Sequence, residues 1–145
     1  MIVLDTNVVS EVLRPRPEVN VVEWLESVTD DVAITAITLA ELLAGLRRLP
    51  DGRRKTELTG AVEGALRPYR DTGAILAFDA VAAPHYADTL AQREAAGLPV
   101  STGDAQIAAI CRARGAVCAT RNIKDFLRTG VSLFDPWTGT SHPAS

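Results

Sequence analysis

A chain of 145 residues has the size of one domain and can bury roughly two thirds of the surface its unfolded form exposes, so folding requires neither a disulfide nor a structural metal. The composition, 47% hydrophobic and 23% charged, excludes wholesale disorder, and no apolar run approaches the roughly 18 to 20 residues that span a bilayer. A formal net charge of −3 gives no general support to nucleic-acid binding, so any such role has to arise in a local site.

Ile2-Val3-Leu4 is a short apolar run ending at Asp5, as a strand buried on both faces of a parallel sheet would read. No basic segment precedes it, so it is read as a strand of a cytoplasmic protein, not a signal peptide. Asp5-Thr6-Asn7 offers capping side chains, and Val8, Val9, Val12 and Leu13 follow at helical spacing until Arg14-Pro15-Arg16-Pro17 breaks the pattern. A helix is expected from Pro17 to about Ser27, a strand at Val32-Ala33-Ile34, and a strongly apolar helix from Ile37 to about Leu49. Pro50-Asp51-Gly52 is a turn. A more polar helix should run from about Arg53 to Leu66, and a third strand over Ala74–Phe78. An alanine-rich helix follows from about Ala80 to Ala96, with Gly97 as its C-cap. Ser101-Thr102-Gly103 opens a helix reaching Arg114, and Gly115 ends it. Ala116–Ala119 reads as the fourth strand, Asn122–Phe126 as a helical turn and Val131–Leu133 as a fifth strand. Residues 139–145, rich in small polar side chains, are expected to form a frayed tail. Strands alternating with helices imply α/β architecture with a parallel sheet covered on both faces.

Ligands of such sheets bind beyond the C-terminal ends of the strands. Asp5 lies at such an end, and Asp104 lies in the first turn of a helix, so the two can converge. Glu41 stands in a helix apolar nearly all round, which predicts burial, and a buried ionised Glu is costly unless it is paired, hydrated or bound to a cation. Crowded carboxylates repel, and a divalent cation removes that penalty. Mg²⁺, with Mn²⁺ as a substitute, prefers oxygen ligands, keeps several waters and activates one for attack on phosphorus. The two histidines, His85 and His142, have no ligand-like spacing, which argues against zinc or histidine-based hydrolysis.

Each residue also has a plainer role. Asp5 can be a helix N-cap, and Glu41 can snorkel to solvent. Ser101-x-x-Asp104 matches a capping box, Asn122 and Asp125 share that spacing, and Asp79 is a cap. The cluster Arg47, Arg48, Arg53, Arg54 and Lys55 is ordinarily a solvated face, and its alternative is contact with RNA or a partner. Trp24 and Trp137 read as packing residues, and Cys111 and Cys118 as reduced core thiols.

Four segments and a closing Pro136-Trp137 occur together: Ile2–Glu11, Thr38–Gly45, Gly103–Ile110 and Ala119–Phe126. In order and spacing the chain resembles the PIN-domain proteins, and more narrowly the VapC or FitB-type toxins of bacterial toxin–antitoxin pairs, over a domain of residues 1–138. The resemblance implies a three-layer α/β/α sandwich with a five-stranded parallel sheet. It also implies endoribonuclease activity that depends on Mg²⁺ or Mn²⁺, with Asp5, Glu41 and Asp104 as metal ligands. Some relatives carry Asp where this chain has Asn122, so Asn122 or the nearby Asp125 would complete the catalytic set, and one tightly bound ion is expected. Thr6, Asn7 and Thr120 would orient ligands or water. The implied partners are RNA as substrate, a VapB/FitA-like antitoxin whose tail enters the toxin groove, and a second copy in a homodimer. DNA would be contacted only through the antitoxin, and no membrane is involved. The groove would be lined by the helix around Glu41 and the helix from Arg53. Two other readings remain: a PIN module that binds RNA or antitoxin without cutting, and a phosphohydrolase of small substrates.

Overall fold

The structure, a computed structural model, describes residues 1–145. Its elements in chain order are β1 (Ile2–Leu4), α1 (Thr6–Val12), α2 (Val19–Ser27), β2 (Val32–Thr35), α3 (Ala36–Arg47), α4 (Arg53–Asp71) and β3 (Ile75–Leu76). Then come α5 (Ala82–Ala95), α6 (Thr102–Arg114), β4 (Val117–Ala119), α7 (Ile123–Phe126), β5 (Leu133–Asp135) and β6 (Thr140–His142). The strands form one sheet in the order β3-β2-β1-β4-β5-β6, parallel except for β6, which runs antiparallel to β5. No helix is long and apolar enough to cross a membrane.

The alternation of side chains along each strand divides the core in two. Val3, Ala33 and Cys118 face one side, where they pack with residues of α6 and with Ala82 and Phe126. Leu4, Ile34 and Ala119, one residue further on, face the other side and meet Val8, Val21, Leu46, Val62 and Leu66 from α1 to α4. The central strands β1 and β4 are therefore apolar without interruption because both of their faces are covered, and the result is the α/β/α sandwich that the pattern implied.

Four details differ from the sequence reading. The third strand is two residues long instead of five, because Phe78 leaves the sheet and meets Tyr86 of α5 edge to face, with centroids 5.7 Å apart. The helix from Arg53 continues past Leu66 to Asp71 with Pro68 inside it, since Tyr69 adds its apolar body to the core next to fully buried Leu66. Residues 140–142 of the expected tail form a sixth strand paired with β5. The turn before it is closed by Gly139 N–H donating to the Asp135 carbonyl at 2.8 Å, with Gly139 at φ 75°, and Thr140-Ser141-His142 carries no apolar alternation that would reveal a strand. Finally, α3 is not enveloped. Thr38 and Leu46 are buried, whereas Ala40, Glu41 and Gly45 are exposed, so Glu41 is not a core carboxylate. The enveloped helix is α6, with Ala105 and Ile107–Cys111 all buried. Cys111 and Cys118 are fully buried free thiols.

Candidate active site

Strand order turns back at β1, which lies between β2 and β4, and the crevice beyond the C-terminal ends of β1 and β4 is the topological switch point. The residues that end these two strands are joined there. Asp5 N–H donates to the Ala119 carbonyl at 2.9 Å, and Thr120 Oγ1 donates to Asp5 Oδ2 at 2.8 Å. Asp5 Oδ1 accepts from Thr6 N at 2.8 Å, so Asp5 is also the N-cap of α1. Asp5 thus has both readings at once: it caps a helix and lines a cavity. Thr120 Oγ1 further accepts from Asn122 N at 3.0 Å and from Asn7 Nδ2 at 3.3 Å, while Asn7 Oδ1 accepts from Arg121 N at 3.4 Å. The Thr120 hydroxyl that holds Asp5 is therefore itself held.

A cavity of about 480 Å³ opens here, lined by Asp5, Glu41 and Asp104 together with Asn122, Arg14 and Arg121. Glu41 arrives from α3. As a whole residue it is exposed, yet its Oε1 accepts from Thr6 Oγ1 at 3.3 Å and lies 3.7 Å from where a Cβ on Gly103 would sit. The first turn of α6 therefore packs at van der Waals distance from Glu41. Asp104 belongs to that turn. Ser101 caps α6 by accepting from Asp104 N at 3.2 Å, which uses the Asp104 amide and leaves its carboxylate to the cavity. Asp125 does not line the cavity but lies near enough to Asp104 to act on it electrostatically.

The electrostatics follow from this crowding. Burial raises the Asp5 carboxyl to a pKa of about 6, against the pull of Thr120 and Thr6, and Asp104 and Glu41 push it further up. Burial likewise raises Glu41, opposed by Thr6 and reinforced by Asp104. Asp104 is raised by burial and by Asp125, with Ser101 and Arg93 opposing. None of the three forms an ion pair. Oxygen donors, no histidine or thiol in the lining, and unpaired acids of raised pKa fit a hard divalent cation. No three Asp, Glu, His or Cys side chains converge tightly enough to hold an ion by direct bonds alone.

Several groups here were not singled out from the sequence. Glu11 is buried, pairs with Arg14 at 3.2 Å and accepts from Glu18 N at 3.1 Å, which anchors the chain after α1. The Glu11–Arg14 spacing of three on a helix could have signalled it. Arg93, also buried, binds the carbonyls of Lys124 at 3.1 Å and of Leu127 and Pro99 at 2.8 Å, tying α5 to the segment that carries Asp125. No local pattern marks it. Asp79 is the cap expected, accepting from Val81 N and Ala82 N at 3.1 Å. In the basic cluster, Lys55 pairs with Asp51 at 3.3 Å, whereas Arg48 and Arg54 line a second, largely apolar groove of about 740 Å³ between α1, α3 and α4. That groove shares Thr6, Ser10, Arg14 and Glu41 with the carboxylate cavity.

Comparison with known proteins identifies the family. The family model described as "PIN domain" matches residues 2–131. The VapC ribonuclease Y4jK of Sinorhizobium fredii is 38% identical over 94% of this chain and 98% of its own length. Toxin FitB of Neisseria gonorrhoeae is 39% identical over 94% of this chain and 99% of its own. Among solved structures, FitAB bound to an IR36 DNA fragment superposes with a TM-score of 0.87 at 38% identity, covering 94% of this chain and 96% of that one.

Proposed function

This chain belongs to the PIN-domain family, and from that premise we propose that it is a metal-dependent endoribonuclease and the toxin of a toxin–antitoxin pair. The observation that carries the reading is the meeting of Asp5, Glu41 and Asp104 in one cavity, each with a raised pKa and none with a cationic partner. The ribonuclease and toxin named among its relatives support it from outside. The complex of FitAB with DNA supports a cognate antitoxin as partner, with DNA contacted through it. The chain would act in the cytoplasm as a homodimer.

In this reading Asp5, Glu41 and Asp104 hold Mg²⁺ or Mn²⁺, which supplies a Lewis acid for the phosphodiester and lowers the pKa of bound water. The chain's own residues do the positioning. Thr120 and the Thr6 amide each engage one oxygen of Asp5 and fix the plane of its carboxylate. Thr6 Oγ1 lies 2.9 Å from Thr38 Oγ1 and holds Glu41 against Asp5. Arg14 brings positive charge to the cavity wall, where it attracts the RNA backbone and offsets the carboxylates. Asn122 lines the same wall as a neutral group and can orient water or phosphate, while Asp125 acts on the site through Asp104.

The test is cleavage of a broad set of RNAs with Mg²⁺ or Mn²⁺, with EDTA, and with Asp5→Asn. Cleavage by the native chain alone, lost on chelation and in the variant, is the expected outcome. Equal products in every arm would overturn the reading. Binding of RNA in Mn²⁺ with no products would select the non-cutting module, the alternative that the uncharged Asn122 favours.

A further inference from the structure

Trp137 lines two cavities. It borders the carboxylate cavity together with Arg121, and it also borders a neighbouring cavity of about 480 Å³ whose aromatic walls include Trp24 and Phe134. The guanidinium of Arg121 sits over the Trp137 ring at 5.1 Å, and Trp24 stacks on Phe134 at 5.1 Å. The main chain of Trp137 is clamped on both sides: its N–H donates to Asp135 Oδ1 at 2.8 Å, and its carbonyl accepts from Asn20 Nδ2 at 3.1 Å. Arg121 is exposed, and the ring of Trp137 is half-buried. An aromatic ring on an anchored main chain, with a planar cation against it, therefore stands at the edge of the carboxylate cavity.

We propose that Arg121 and Trp137 form a stacking platform for one nucleobase of single-stranded RNA, next to the phosphate that is cut. This rests on the ribonuclease reading above and deepens it. Single-stranded RNA is bound by stacking splayed bases on aromatic rings and Arg planes. The neighbouring cavity suits a base and not a phosphate: its one charged lining residue is Glu23, which repels phosphate and accepts from amino groups on a base edge. The apolar groove on the opposite side of the carboxylates offers no such aromatic wall. The strand therefore leaves the carboxylate cavity past Trp137.

The test uses the full chain with Mn²⁺ and a pool of single-stranded oligoribonucleotides, followed by kinetics on one cleaved sequence. Arg121→Ala and Trp137→Ala should each raise KM on the order of tenfold with kcat within about twofold, the scale of losing one stacked base. Trp137→Phe should restore most of the loss. An abasic position beside the cut should raise KM for the native chain and add nothing in Arg121→Ala. If Trp137→Ala does not fold, Arg121→Ala and the abasic oligonucleotide carry the test. Unchanged KM in both, with cleavage intact, overturns the platform and leaves the ribonuclease standing. No cleavage of any pool member overturns both.

Discussion

Asp5 combines two requirements that pull against each other. It is 4% exposed and held by two hydrogen bonds, yet its carboxyl is raised from 3.8 to about 6. The folded chain therefore grips this proton more tightly than the unfolded chain does. The contribution to stability is fully present below the unfolded pKa, is lost as pH rises through the folded value, and leaves ionised Asp5 destabilising above it. From the size of the shift, the penalty near neutral pH is about 3 kcal/mol in the metal-free protein. Metal-free protein should therefore gain melting temperature, relative to Asp5→Asn, as pH falls from 7 to 5. Mn²⁺ at pH 7 should raise the native chain and leave the variant unmoved. Parallel melting curves for the two proteins would refute this account of Asp5. The identity of Asp5 as a special carboxylate was legible in the sequence, since it ends an apolar run and begins a helix. That it is buried was not legible, because its partner Thr120 and the charges of Glu41 and Asp104 that act on it come from distant segments.

At the level of elements the contrast is between α3 and α6. The α3 sequence is apolar around its circumference and reads as a core helix, but one side borders the open groove. The α6 sequence is interrupted by Gln106, Arg112 and Arg114, yet it is the helix at the centre of one core face. Part of the apolar surface of α3 is thus left uncovered along the groove. Ile107→Ala should cost about 2 to 5 kcal/mol, because it empties a fully enclosed position, whereas Ala40→Ser on the exposed side of α3 should change stability by less than about 0.5 kcal/mol. Urea denaturation of the two variants measures this, and comparable losses would show the burial contrast to be wrong. Asp79 and Ser101 bind first-turn amides as their positions imply, because such a bond is completed within three residues, whereas Asn122 forms no side-chain cap.

For the molecule as a whole, the apolar groove and the carboxylate cavity are continuous, so one ligand can cover both. Leu13, Leu42, Leu58 and Val62 line the groove, with Arg48 and Arg54 among them. In the proposed toxin, this is where the antitoxin would seat an apolar segment while an adjoining part blocks the carboxylates. Leu58→Glu places a charge in the groove away from the carboxylate cavity. It should weaken antitoxin binding by roughly tenfold or more, the effect of spoiling a central apolar contact, while RNA cleavage by the isolated chain persists. Calorimetric titration with the antitoxin measures the loss. Undiminished affinity would move the antitoxin to another face.

The alternation of strands and helices, the covered parallel sheet and the three notable carboxylates can be read from the chain alone, because each is written in a local period or in a residue type out of keeping with its neighbours. That Asp5, Glu41 and Asp104 share a cavity, that Glu41 is not in the core, that Arg121 and Trp137 border the site, and that residues 140–142 add an edge strand emerges only on folding. Exposure, proximity and pairing of that kind are set by segments distant in the chain, and no window of consecutive residues contains them.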